Sequence, residues 1–387
     1  MVTAIVNGRI LAPGGIQHGV LLLEDNRIKG IDDTVPARAA VIDAEGCYVA
    51  PGFIDMHTHG AGGADFMDGT VEAYLTSARM HARHGTTLLY PTTLTSTNEA
   101  LYESFETYRK ARLENRDGAA FGGMHLEGPY FNPEFAGAQD RRYLRNPRPE
   151  EYREILDRCP DLARWSFAPE LEGAAEFAAE LKRRGIVASI GHTNATFGEC
   201  DAAWRAGAAH MTHFYSCMST ISRRNAFRYA GTIEYGYFQD GMSVEIIADG
   251  IHVPADLLHL LLKIKGTERI SLVTDSMRAA GMPEGPSILG GLADGQPVIV
   301  EDGVAKLLDR SAFAGSVATA DRLVRTMVRE AGCSIPEAVR MMTENPARVM
   351  GIARRKGSIL PGKDADIVIF DDDIRVRKTI IAGKTIG

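Results

Sequence analysis

The sequence predicts an α/β fold: a (β/α)8 barrel joined to a small β-sandwich domain built from both chain termini. Three observations predict it. Apolar, strand-like runs alternate with helix-like stretches through the middle of the chain, which argues for a parallel sheet. There are eight such runs, the number that closes a barrel. Ionisable residues recur just past their C-terminal ends, where a barrel gathers its loops at one mouth. The chain has 387 residues, more than the roughly 250 of a bare barrel, so a second unit is expected. An open doubly wound sheet is the alternative that the alternation leaves.

Taken in order, residues 1–50 read as short strands separated by turn residues: Ala4–Val6, Gly19–Leu23, Arg27–Ile31 and Ala40–Asp43, with Asn7-Gly8 and Asp25-Asn26 between them. The other end repeats this character at Ile367–Phe370 and Val376–Ile381. Neither half holds enough apolar residues for a core of its own. The division expected is therefore 1–50 plus 351–387 as one small β domain and 51–350 as the barrel. The eight barrel runs are Gly52–Met56, Gly85–Tyr90, Phe121–Met124, Trp165–Ala168, Gly185–Ile190, Ala208–Thr212, Ser243–Ala248 and Arg269–Thr274. As strands covered on both faces they should be nearly continuous apolar runs. Helix-like segments lie between most of them, among them Val71–His84, Ala174–Arg184 and Thr196–Ala206. Two more, near Ala318–Glu330 and Ile335–Met342, follow the last strand.

Composition narrows the function classes. Lys and Arg number 43 against 50 acidic residues, a net charge of −7, which gives no support for a nucleic-acid surface. No apolar run approaches the length of a membrane span, and the first residues lack the pattern of a secretory leader. Five scattered cysteines without a C-x-x-C pair fit a reducing compartment rather than a disulfide framework. A cytoplasmic protein with no nucleic-acid or membrane partner is expected.

The chemistry starts at Pro51-Gly52-Phe53-Ile54-Asp55-Met56-His57-Thr58-His59. In a strand, side chains alternate, so His57 and His59 share a face and could chelate one ion. Alone, a His-x-His pair is as often an accident as a ligand pair. Here Glu127, His192, His213 and Asp275 follow at the ends of later strands, with Asp249 and His252 after the seventh. Imidazole and carboxylate suit zinc or a similar divalent ion, and one carboxylate can bridge two ions. The Gly60–Gly63 stretch lacks the Lys-Ser/Thr of a phosphate loop and reads as loop mobility. Arg223, Arg224 and Arg228 form a basic cluster: a solvated face, or beside a metal mouth a phosphate clamp.

Together, the Pro-Gly-Phe-Ile-Asp-x-His-x-His run, His125-Leu126-Glu127-Gly128-Pro129, Gly191-His192-Thr193-Asn194-Ala195-Thr196, Ala248-Asp249-Gly250-Ile251-His252 and Thr274-Asp275-Ser276-Met277 resemble the amidohydrolase superfamily. Within it they are similar to the N-acetylglucosamine-6-phosphate deacetylase family, and the similarity spans nearly the whole chain. The resemblance implies a hydrolase that removes acetate from an amino sugar phosphate. It implies metal ligation by Glu127, His192 and His213, with His57, His59 and Asp275 available for a second ion: one or two Zn2+ per chain. It implies that Asp275 serves as general base and then general acid, and that His252 contacts the substrate. Ala138, Gln139, Ser216, Cys217, Phe313, Ala314 and Gly315 fall at substrate-side positions. Arg224 matches an arginine that reaches the substrate phosphate from a neighbouring subunit, which implies a homodimer.

The chain departs from that family at one place. Ser216-Cys217 stands where the family carries Asn-Ala, and the segment after Arg224 lacks the family's Glu and Pro. A serine hydroxyl replaces an amide with both donor and acceptor capacity, so the choice of sugar epimer is left open while a 6-phosphate requirement is expected to persist. Two rival readings remain at this level: an amidohydrolase of N-acyl amino acids, dipeptides or cyclic amides, since fold and metal do not specify substrate, and a non-catalytic barrel that binds sugar phosphates.

Overall fold

The computed structural model describes residues 1–386; Gly387, the last residue of the expected 351–387 segment, lies outside them. The centre is a barrel of eight parallel strands: β1 (Phe53–Thr58), β2 (Thr86–Thr93), β3 (Met124–Glu127), β4 (Leu162–Phe167), β5 (Val187–Ile190), β6 (His210–Met211), β7 (Ser243–Ile246) and β8 (Ile270–Leu272). Each pairs in parallel with the next. Closure runs through the residues just after β8: the Asp275 N–H donates to the His57 carbonyl at 2.9 Å and the His59 N–H to the Ser276 carbonyl at 2.8 Å. The open doubly wound sheet is thereby excluded.

Helices cover the outside. Val71–Arg83 starts at Thr70, whose hydroxyl accepts from the Ala73 N–H, the usual way an N-cap satisfies one unpaired donor. Phe197–Ala206 begins with a capping box of Thr196 and Glu199 and ends at Gly207. Helices Ala320–Arg329 and Ile335–Met342 follow the barrel, the second opened by a Ser334–Glu337 capping box. Among the described residues no helix is long and apolar enough to cross a membrane.

The chain ends build two further sheets, the second from both ends. One contains Val2–Val6, Val20–Glu24, Arg27–Asp32 and Ala40–Asp43. The other interleaves Arg9–Ala12, Gly15–Gln17 and Tyr48–Pro51 with Ile367–Phe370, Val376–Ile381 and Lys384–Ile386. Ile5, Leu21, Leu23 and Ile28 of the first sheet share an apolar core with Ile10, Val49, Ile367, Ile369 and Ile380 of the second. In strand Ile367–Phe370 the alternate residues Val368 and Phe370 point into the barrel's own core. One strand thus seals two cores, as a period of two allows.

Three features correct or extend the sequence expectation. The barrel strands are not continuously apolar: Arg164 and Ser166 in β4, Ser189 in β5, His210 in β6 and Ser243 and Glu245 in β7 are polar, and Arg164 and Glu245 are fully buried. Their outward neighbours Trp165, Ile190, Met211, Val244 and Ile246 join the main core, so only the outer face had to be apolar. The basic cluster forms an exposed hairpin, Ser222–Arg224 paired with Phe227–Tyr229. Residues 285–307 build a three-stranded antiparallel sheet that carries Leu289 to the barrel mouth.

Candidate active site

The strand ends converge as a barrel requires. His57 is the next-to-last residue of β1 and His59 follows the strand; Glu127 ends β3; His192, His213, His252 and Asp275 lie just beyond β5, β6, β7 and β8. Two groups of donor atoms result, His57, His59 and Asp275 in one and Glu127, His192 and His213 in the other, all six residues buried. In the first, Asp275 Oδ1 lies 3.1 Å from His59 Nε2 and 3.3 Å from His57 Nε2. In the second, Glu127 Oε1 lies 3.0 Å from His213 Nε2 and 3.3 Å from His192 Nε2. Glu127 also faces the first group, at 3.5 Å from His57 Nε2 and 3.3 Å from His59 Nε2.

These groups fit divalent cations. A tetrahedral zinc with nitrogen ligands at about 2.0–2.1 Å sets ligand atoms roughly 3.3 Å apart, the spacing found here. His192 Nε2 and His213 Nε2 face each other at 3.0 Å, close enough to share one ion. His57 Nε2 is buried without a hydrogen-bond partner among the described residues, although it points at two carboxylates. The electrostatics agree. Burial lowers the imidazole pKa values, but Asp275, Glu127 and Glu245 together raise His57 to about 10, and Asp275 and Glu127 raise His59 to about 9. Burial works against the carboxylates too, yet the imidazoles hold Glu127 well below, and Asp275 below, the ordinary carboxylate range. The centre is built to hold positive charge.

Around these atoms stand residues that aim them. His192 Nδ1 donates to the Phe135 carbonyl at 2.9 Å and its ring stacks on Phe131. Gln139 Nε2 donates to Glu127 Oε2 at 2.7 Å while its Oε1 accepts from the Thr95 N–H at 2.8 Å. Gln139 therefore orients the Glu127 carboxylate as well as lining the pocket. His252 gives Nδ1 to Asp249 Oδ2 at 2.8 Å, which leaves Nε2 for a ligand, and its ring rests against Phe313. Asp55 accepts from the His57 and Thr274 N–H groups at 3.3 and 3.2 Å, clipping β1 to the segment that carries Asp275. His125, beside Glu127 in sequence, is occupied by Ser166 Oγ at 2.7 Å and Thr92 Oγ1 at 3.2 Å and belongs to neither donor group.

The backbone is unusual at the same place. His192, His213, Cys217 and Asp275 all have left-handed φ, at 49°, 29°, 51° and 45°. Each such non-glycine residue costs about 1–3 kcal/mol and persists where the surroundings over-determine it. Gly137, with φ of 57°, brings its loop so close that a Cβ would sit 2.7 Å from Cys217 Sγ.

A pocket of about 240 Å³ opens above the donor atoms. Its lining contains His59, Glu127, Ala138, Gln139, His192, His213, Ser216, Cys217, His252, Asp275, Phe313 and Gly315, together with the apolar Leu94, Ile247, Leu289 and Ala312. Three expected site residues are not in the lining. His57 is buried beneath it. Ala314 is fully buried, its N–H bonded to the Ala305 carbonyl at 2.9 Å. Arg224 lies on the exposed hairpin, its guanidinium 5.6 Å from the Tyr229 ring. Sequence reading did not identify the supporting roles of Asp55, Arg164, Glu245 and Asp249. Asp249 carried a signal in its three-residue spacing from His252, and Asp55 in standing two residues before His57.

Known proteins resemble this arrangement throughout. The amidohydrolase family matches residues 48–386. N-acetylglucosamine-6-phosphate deacetylase of Bacillus subtilis (strain 168) is 34% identical over 376 residues, covering 95% of this chain and 92% of that protein. N-acetylgalactosamine-6-phosphate deacetylase of Escherichia coli O157:H7 is 31% identical, covering 94% and 95%. The crystal structure of N-acetylglucosamine-6-phosphate deacetylase from Pasteurella multocida superposes with a TM-score of 0.92 at 29% identity, over 100% of this chain and 99% of that one. The chain belongs to the amidohydrolase family of divalent-metal hydrolases, in the branch that holds the amino-sugar-6-phosphate deacetylases.

Proposed function

We propose that this protein removes the N-acetyl group from N-acetylglucosamine 6-phosphate, giving glucosamine 6-phosphate and acetate. The observation that carries the reading is the pair of donor groups, with Glu127 of one facing the imidazoles of the other and Asp275 lining the pocket beside them, in a chain alike over its length to deacetylases of such sugars. Glu127, His192 and His213 would hold one divalent ion, zinc by the donor chemistry; His57, His59 and Asp275 would offer a second position. A bound divalent ion polarises a carbonyl and lowers the pKa of water. Asp275, ionised at neutral pH, takes the proton of the attacking water and delivers it to the departing amine. His252, held by Asp249, directs Nε2 to the acetamide or the sugar. Phe313, Leu289 and Ile247 exclude water from the reacting bond, and Ser216, Cys217, Ala138 and Gly315 border the sugar.

Arg224 completes the reading. It is exposed on a basic hairpin outside its own pocket, and among the described residues neither it, Arg223 nor Arg228 forms an ion pair. A homodimer in which this hairpin clamps the 6-phosphate in the partner's pocket accounts for that placement. The two chain-end sheets, 1–50 plus 351–387, act as a supporting domain for the 51–350 barrel, and the setting is cytoplasmic.

A second reading concerns the epimer. The galactosamine-type relative is as similar as many glucosamine-type ones, and Ser216 and Cys217 line the pocket. Acetate release should be measured with N-acetylglucosamine 6-phosphate, its galacto epimer, unphosphorylated N-acetylglucosamine and a set of N-acyl amino acids. Turnover of N-acyl amino acids without turnover of either sugar phosphate would overturn the proposal.

A further inference from the structure

We propose that Glu245, outside the pocket, is the positioning residue that sets one ligand of each donor group. The inference rests on the metal-site reading above. Glu245 projects into the barrel from β7 and is fully buried. Its Oε1 accepts from His57 Nδ1 at 2.7 Å and from the His213 N–H at 3.0 Å. His57 belongs to one donor group and His213 to the other, and Glu245 belongs to neither. A single carboxylate oxygen thus touches both halves of the centre from below.

Each contact has a distinct consequence. A carboxylate that accepts from Nδ1–H fixes the imidazole tautomer and turns the Nε2 lone pair outward. For His57 that is the buried Nε2 with no hydrogen bond, facing Asp275 and Glu127. At His213 the grip is on the main chain. The residue has φ of 29°, a conformation that needs support from its surroundings. The Glu245 side chain holds the His213 N–H and the Glu245 carbonyl accepts from the Phe214 N–H at 2.7 Å. Both ends of one residue therefore clamp the turn that presents the His213 ring.

The other oxygen explains how a carboxylate survives at this depth. Oε2 pairs with the fully buried Arg164 and lies 3.4 Å from His210 Nε2. Arg164 is held in turn by Ser189 Oγ at 3.1 Å, Thr212 Oγ1 at 3.0 Å and the Met56 carbonyl at 3.3 Å. With its charge compensated and every contact directed, Glu245 has one orientation. It does not line the pocket, so it acts through the ligands and not on the substrate.

The test reads metal affinity by chelator competition, on protein shown to be folded by circular dichroism. Replacing an outer partner of a metal-ligating histidine weakens binding roughly 10- to 100-fold. Glu245→Gln keeps the size but loses the charge, and Glu245→Asp keeps the charge but withdraws from His57; both should show this loss. Ser166→Ala is the control: Ser166 is buried in the same interior and bonds His125 and Thr212 but neither ligand, so its affinity should match wild type. Wild-type affinity in either folded Glu245 variant overturns the inference. If neither variant folds, nitrogen-15 spectra of histidine-labelled, zinc-loaded wild type decide: His57 must be protonated at Nδ1 and coordinated at Nε2, and the opposite tautomer overturns the inference. A wild-type protein that binds no metal defeats the metal-site reading itself, which separates the two failures.

Discussion

At the scale of single residues, the centre is governed by charge. Asp275 is the proposed general base, and burial does not neutralise it because His57 and His59 stabilise the carboxylate. Asp275→Asn should keep the fold and the Glu127, His192 and His213 metal while lowering turnover by ~10²–10⁴-fold; acetate release by metal-loaded variant measures it. The same charges set a pH dependence in the metal-free protein. His57 at about 10 and His59 at about 9 lie above their unfolded value near 6.5. Their stabilising contribution is therefore complete below about pH 6.5 and disappears as pH rises through 9 to 10. Glu127 and Asp275 are shifted the other way, so their contribution holds above the ordinary carboxylate range and is lost on acidification. Denaturant titrations of metal-free protein should show greatest stability in the mildly acidic window and a decline towards pH 10. Since ligating imidazoles must be neutral, zinc loading at pH 7.5 should release protons, seen as a calorimetric enthalpy that varies with the buffer.

At the scale of elements, the hairpin Ser222–Tyr229 is the piece whose placement matters most. A basic, fully exposed ribbon with Phe227 71% exposed has no packing reason to exist within one subunit. Arg224→Ala should weaken use of the 6-phosphate substrate by ~1.5–3 kcal/mol, the scale of a hydrogen bond to a charged group, and leave the unphosphorylated sugar nearly unchanged. Comparison of kcat/KM for the two substrates reads this directly. If the arginine acts across a dimer, mixing Arg224→Ala with Asp275→Asn subunits should restore activity that each lacks alone. Within a mixed dimer, the Arg224→Ala subunit keeps its base and receives the other's arginine. Failure of mixed dimers to recover, with dimer formation confirmed, would place the arginine in its own subunit or nowhere near the phosphate.

At the scale of the molecule, the barrel and the chain-end sheets are stitched by shared strands. Ile369 is 1% exposed in the sandwich core while its neighbours Val368 and Phe370 pack on the barrel. Ile369→Ala should cost about 2–5 kcal/mol, measured in urea, and because the strand serves both cores the loss should appear as one transition. Metal removal acts on the whole barrel as well, since the donor groups join β1, β3 and the segments after β5, β6 and β8. A ligand that binds only the folded state raises apparent stability, so chelation should lower Tm and added zinc should restore it.

What the sequence determined by itself was periodic or local. Alternation of apolar runs with helical stretches set the barrel, because outward-facing residues such as Ile190, Met211, Val244 and Ile246 must meet helices whatever the interior holds. Turn residues marked the chain-end strands, and His57, His59, Glu127, His192, His213, His252 and Asp275 were legible because a barrel places strand ends at one mouth. Only the tertiary structure decided what stands behind them. Glu245 and Arg164 lie 81 residues apart, and Asp55 reaches Thr274 over 219; no spacing rule connects such pairs. The reason is physical: a buried polar group is tolerated only with its partner, and that partner is chosen by closure of the barrel, not by neighbours along the chain.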